Sequence, residues 1–191
     1  MDITGKVKGT LLLTRVKYLR GMGPTMAARV LERLPQADRE LLDGTLLLPA
    51  LWYPADLLWR LEQAIAAEAA DGDRARVLVD VGQFAADKSF GARGVLRAYV
   101  REDDPHALLR EVQNIHLMLR GYGKREYVRV DDRAAVVRAA LERGRDGDDC
   151  LTTVGWLRRA IELCGGRNVQ VTETACLARG GGCCEYRCEW S

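Results

Sequence analysis

The stretch Val171-Thr-Glu-Thr-Ala-Cys-Leu-Ala-Arg-Gly-Gly-Gly-Cys-Cys-Glu-Tyr-Arg-Cys-Glu-Trp190 carries four cysteines and the glycine run Gly180 to Gly182. Glycine takes the positive φ that a tight turn needs. The pattern therefore predicts a β-hairpin with arms Val169 to Ala178 and Cys184 to Trp190. A turn centred on Gly180 sets Cys176 opposite Cys184. Two thiolates in that geometry are half of a tetrahedral zinc site.

Upstream, Cys150 stands at the start of a predicted helix that Asp148 or Asp149 caps and that runs to Cys164, with Gly165-Gly166 as its terminator. Glu173 sits on the first hairpin arm. Zinc prefers thiolate and accepts carboxylate, so Cys150, Glu173, Cys176 and Cys184 form a chemically sound ligand set. The helix N-terminus should favour the Cys150 thiolate. Arg179 or the amides of the glycine turn would offset the excess negative charge. One geometric condition follows. On a regular strand Glu173 and Cys176 point to opposite faces, so a bulge or the end of pairing must lie between them. The competing reading of the same residues is a cluster of small buried thiols. Cys188 shares a face with Cys184, Tyr186 and Trp190 and is either core or an alternative ligand; Cys164 is expected in the core, and Cys183 as an exposed thiol without a role.

Farther upstream the pattern turns helical. Predicted helices cover Lys6 to Arg20, Pro24 to Leu34, a short segment after Gln36, a segment opened by Pro54, Arg74 to Ala86 and Arg93 to Arg101. In the Pro54 helix Leu57, Leu58, Leu61 and Ile65 line one face. Another helix starts at Asp104-Pro105, with Leu108, Val112, Ile115 and Leu119 at spacings of four, three and four. Leu46 to Tyr53 reads as an apolar connector, and Asp71-Gly-Asp73 and Arg143 to Asp149 as breaks. Lys124 to Val130 reads as a strand, and Arg133 to Leu141 as strand or helix. The expected fold is α+β: an N-terminal helical layer on a small antiparallel sheet of about four strands, ending in the cysteine hairpin. All 191 residues fit one domain, with 1–122 mainly helical and 123–191 containing the sheet.

Composition narrows the class. Lys and Arg number 29 against 27 Asp and Glu, and acids interleave the arginines, which argues for a solvated surface and against a nucleic-acid footprint. No stretch is long enough to span a membrane, and no signal peptide is expected. The cysteines then read as metal-binding or buried in a cytoplasmic protein.

The run Glu173-x-x-Cys176, seven residues, Cys184-x-Tyr186, with Cys150 some two dozen residues upstream, resembles the C-terminal signature of the 4-vinyl-reductase-type small-molecule-binding domain. That domain is known as the sensor of phenol-responsive bacterial activators, and the resemblance covers about Gly123 to Trp190. It implies that Cys150, Glu173, Cys176 and Cys184 bind a structural zinc. Its wider superfamily includes heme nitric-oxide sensor domains and TRAPP tethering subunits. The N-terminal half is similar to uncharacterised myxobacterial proteins that carry this signature. The resemblance implies a helical layer on a four-stranded sheet, an apolar ligand between them, and dimerisation through the helices.

Under that resemblance, Val154 and Val171 lie near pocket positions. Trp156, with Trp52, Trp59, Phe84 and Tyr99, is an aromatic candidate for the pocket lining, though ordinary core packing is the simpler reading of each. His116 or His106 would meet a ligand hydroxyl, though a partly exposed structural role is the simpler reading of both. Heme sensors grip propionates with Tyr-x-Ser-x-Arg; here Tyr127-Val-Arg-Val-Asp131 departs from it. No nucleophile–base–orienter set can be assembled, so no enzymatic activity is expected. The expected function is a regulatory domain that binds a small apolar or aromatic molecule or lipid and signals through a homodimer or a partner protein. The alternatives are a TRAPP-like dimeric scaffold without exchangeable ligand and a heme-based gas sensor.

Overall fold

A computed structural model describes residues 5–43, 47–69, 72–140 and 149–191. Among them the helical layer comprises α1 (Gly9–Gly21), α2 (Pro24–Glu32), α3 (Gln36–Asp43), α4 (Ala55–Ala69), α5 (Arg74–Phe90), α6 (Pro105–Arg110) and α7 (Val112–Leu119). Two three-residue strands, β1 (Lys6–Lys8) and β2 (Trp52–Pro54), pair antiparallel beside it. The rest is β3 (Lys124–Asp131), β4 (Ala134–Ala140), α8 (Asp149–Leu163), β5 (Gln170–Ala175) and β6 (Cys184–Glu189). The four long strands form one antiparallel sheet in the order β3-β4-β6-β5. This is the α+β arrangement of helices on a small sheet.

The apolar stripes become the core. Leu57, Leu58, Leu61 and Ile65 are all buried on α4, and so are Leu108, Val112, Ile115 and Leu119 on α6 and α7. On the sheet, Ala135, Val137 and Ala139 of β4 face the same buried layer as Cys184, Tyr186 and Cys188 of β6. Val137 pairs with Tyr186 and Ala139 with Cys184, so the two inward rows run side by side. The alternation on β6 resolves Cys188: it is fully buried core, and burial pushes its thiol up to about 12. Cys164 is also fully buried.

α5 and α8 approach unusually closely. A Cβ on Gly82 would lie 2.1 Å from the Thr152 carbonyl oxygen, and one on Gly155 would lie 2.0 Å from that of Val79. Each helix thus presses backbone onto the other through a glycine, which fixes where α8 lies.

Several expectations need correcting. Arg93 to Arg101 is not an α-helix; its regular structure is one 3-10 turn at Arg97–Tyr99. The helix expected from Asp104 is two, α6 and α7, separated at Glu111. Lys6 to Lys8 is a strand rather than the first turn of α1, and the apolar connector ends in β2. Both histidines are buried, because tertiary backbone carbonyls satisfy them. Cys183 is half-buried rather than exposed. Most of the charged loop at 143–149 lies outside the described residues, as do Asp71 and the Asp148 cap alternative.

Candidate metal centre and adjacent cavity

Three elements bring the four sequence-selected side chains together. Cys150 lies in the first turn of α8, Glu173 on β5, Cys176 just past the end of β5, and Cys184 at the start of β6. One ligand atom from each lies within 4.8 Å of all the others. The Cys150 Sγ is 3.7 Å from that of Cys176 and 3.5 Å from that of Cys184. These separations exceed a disulfide bond and match about 3.8 Å, the edge of a tetrahedron with zinc–sulfur bonds of about 2.3 Å.

The local backbone explains how Glu173 and Cys176 meet. The β5–β6 register shifts between Glu173 and Ala175, so a bulge reverses the facing of the strand. Ala175 opposite Glu185 is the last pair, and Cys176 and Cys184 are the next residue outward on each arm. Cys176 remains extended; a 3-10 turn at Leu177–Arg179 follows, and Gly180 takes φ 84°, where a side chain would be strained. The turn also supplies a donor, because the Leu177 amide points at the Cys184 Sγ at 3.4 Å.

Burial favours the neutral form of the clustered thiols. Burial raises the Cys150 thiol strongly, and the neighbouring Glu173 carboxylate adds to it. Burial likewise raises Cys184. Arg179 donates to the Glu173 carboxylate at 2.6 Å, while Glu173 Oε1 is buried with no hydrogen-bond partner. A buried, unsatisfied carboxylate oxygen among three thiols is the environment a soft divalent cation completes. The donor set fits zinc.

A cavity of about 80 Å³ lies between α1, α7, α8 and the sheet. His116 and Trp156 line it, together with Arg15, Arg120, Arg125 and Thr152. Val154 and Val171 are half-buried against the core and are not among its lining residues. Trp52, Trp59, Phe84 and Tyr99 are also half-buried and off its lining. His116 donates from Nε2 to the Tyr122 carbonyl at 2.5 Å. His106 donates to the Asp132 carbonyl at 3.1 Å and accepts from the Tyr127 hydroxyl at 2.8 Å. The lining arginines come from separate elements, α1, the end of α7 and β3. Arg15 was detectable, for it falls on the apolar stripe of α1 between Leu11 and Leu19. Arg125 shares inward strand parity with Tyr127.

Cavity and thiol cluster are neighbours. Thr152 follows Cys150 by two positions on α8. The fully buried Tyr186 has its hydroxyl beside the Cys150 sulfur and feels the charge of Arg125.

No protein-family model matches the chain, and no curated protein sequence does. Solved structures do. An H-NOX protein from S. oneidensis in its Fe(II)NO ligation state superposes with a TM-score of 0.73 at 15% identity, covering 96% of this chain and 99% of that one. The Fe(II) unliganded H-NOX protein from K. algicida gives 0.67 at 12%, covering 96% of each. A point mutant of T. Tengcongensis H-NOX gives 0.68 at 16%, covering 96% of this chain and 97% of that one. The fold is that of the H-NOX domains. The match spans nearly the whole length of both partners, so the helical layer and the sheet belong to one shared architecture. Among the described residues no helix is long and apolar enough to cross a membrane.

Proposed function

We propose that this chain is a non-enzymatic regulatory domain that binds a small molecule in the cavity beside α8 and uses a structural zinc to hold α8 to the terminal hairpin. The observation that carries the reading is the adjacency of cavity and cluster on one helix: Thr152, Thr153 and Trp156 of α8 line the cavity, and Cys150 of the same helix belongs to the cluster. Four protein ligands leave zinc no open position for water, so it would contribute folding stability rather than chemistry. Occupancy of the cavity would bias the setting of α8, and a dimer or partner interface would pass that on. A cavity near 80 Å³ is about half the volume of one that admits benzene, so an aromatic ligand would require the walls to move.

The structural neighbours are described as Fe(II) or heme proteins, which makes heme the second reading to weigh. The residues here do not fit it. The cavity falls far below the 300 to 1,000 Å³ or so of pockets for larger ligands. His116 commits Nε2 to a backbone carbonyl, and both ring nitrogens of His106 are engaged. Arg129 and Asp131 stand where a propionate-gripping Tyr-x-Ser-x-Arg motif would place serine and arginine.

Native mass spectrometry of freshly purified protein, with an absorption spectrum, tests the proposal. The expected result is one zinc per chain, no Soret band, and a dimer or monomer that takes up a small molecule. A Soret band would restore the heme reading. A folded, zinc-free wild type would remove the metal, and a stable oligomer indifferent to every small molecule would favour a scaffold of the TRAPP kind.

A further inference from the structure

Tyr186 of β6 is enclosed by the thiol cluster. Cys184 lies two positions before it on the same inward face, and Glu173 of β5 is its cross-strand partner. Residues opposed in this way bring their Cβ atoms to about 4.5–5.5 Å. Val137 of β4 closes the other side. The ring spans the gap between sheet and helix, and its hydroxyl hydrogen-bonds the Cys150 sulfur of α8. Two of the four cluster residues are thus its neighbours in the sheet, and a third is its hydrogen-bond partner. Tyr186 is 1% exposed, so bulk water does not compete for the hydroxyl. A buried hydroxyl without a good partner is costly. A neutral cysteine sulfur is a weak acceptor, whereas an ionised acceptor makes a hydrogen bond about twice as strong as a neutral one. A phenylalanine would fill nearly the same space without that cost. The hydroxyl is therefore matched to Cys150 in its metal-bound form, because a coordinating thiol gives up its proton. The other donors fall on other ligands: the Leu177 amide on Cys184 at 3.4 Å, and Arg179 on Glu173 at 2.6 Å.

We infer that Tyr186 is a positioning residue of the metal centre: its hydroxyl donates to the Cys150 thiolate and fixes that ligand, and with it the first turn of α8, against the sheet. The inference rests on the proposed zinc site and adds a residue outside the four ligands.

Tyr186→Phe in the full chain tests it, beside wild type and Val137→Ala, which disturbs the packing next to the ring and leaves the hydroxyl. Competition with a chromogenic chelator reads zinc affinity, which should fall about 10- to 100-fold in Tyr186→Phe. Cobalt(II) loaded in place of zinc reports on the thiolates directly. A thiolate that loses a hydrogen-bond donor gives up an electron more readily. The sulfur-to-cobalt charge-transfer band should therefore move to longer wavelength in Tyr186→Phe and stay in place in Val137→Ala. A merely structural tyrosine would lower the melting temperature and leave the band where it is. Should Tyr186→Phe fail to fold, 3-fluorotyrosine incorporated at Tyr186, with its more acidic hydroxyl, should move the band to shorter wavelength. Wild-type affinity with an unmoved band in Tyr186→Phe overturns the inference and leaves the zinc site standing. A wild type that takes up neither zinc nor cobalt overturns both.

Discussion

The Arg179 guanidinium holds one oxygen of the Glu173 carboxylate at 2.6 Å and leaves the other buried and free to face the three thiols. This orients the carboxylate as outer partners of metal ligands do, and such partners are typically worth 10- to 100-fold in metal affinity. Arg179→Met should therefore weaken zinc by about 10- to 100-fold with the fold intact, because Arg179 is an exposed turn residue. Cys176→Ser, which removes one of the proposed ligands, should abolish stoichiometric zinc. Competition with a chromogenic chelator measures both, and unchanged affinity in Arg179→Met would make the ion pair incidental.

The glycine pair of α5 and α8 gives a second outcome. Gly82→Ala and Gly155→Ala each drive a methyl group into a backbone carbonyl, at 2.1 and 2.0 Å. No rotamer relieves that contact, so the helices must separate. Overpacking of this kind costs about 1–3 kcal/mol, a fall of about 2–12 °C in melting temperature for a chain of this size. Since α8 carries Cys150, zinc affinity should fall alongside, whereas an alanine at Gly182, where a Cβ meets open space, should change neither.

What the sequence disclosed and what it concealed divide along physical lines. Helical stripes such as Leu57-Leu61-Ile65 were legible because one face repeats within a single element. The thiol cluster was legible because three of its four members lie on one hairpin, and the bulge between Glu173 and Ala175 follows from requiring Glu173 and Cys176 to meet. β1 and β2 were hidden, since three residues carry no measurable period and their pairing joins segments far apart in the chain. The burial of His106 and His116 depends on carbonyls of Asp132 and Tyr122, which only the tertiary fold delivers. The cavity draws Arg15, Arg120 and Arg125 from different elements, so no local pattern announces it.

Acid sensitivity has a definite sign at Glu68. The hydrogen bond from Arg33, with Arg29 at 2.5 Å, holds this carboxyl below its usual range against the opposing effect of burial. A group depressed in the folded state contributes stability that is complete above its unfolded pKa, near 4.5, and is lost as pH falls through the lower folded value. Glu68→Gln should therefore melt below wild type at pH 7, and the gap should close as pH drops below about 4. Melting curves at pH 7, 5 and 3 measure it; a gap that widens on acidification would reverse the assignment.

Arg15 and Glu62 form the most deeply buried ion pair among the described residues, with Arg15 Nη1 also donating to the Thr14 hydroxyl at 3.0 Å. Their side chains are 5% and 6% exposed, so little solvent screening remains. Arg15→Met alone leaves the Glu62 charge buried without its counter-ion and should cost about 3–5 kcal/mol. The double variant Arg15→Met/Glu62→Leu removes both desolvation penalties and should return to wild-type stability or exceed it. Urea unfolding of the two singles and the double completes the cycle. A double variant as unstable as the singles would mean the pair stabilises the helical layer. Recovery would mean that α1 and α4 retain a charge the core does not need, which places the role of Arg15 at the cavity it lines rather than in the packing beneath it.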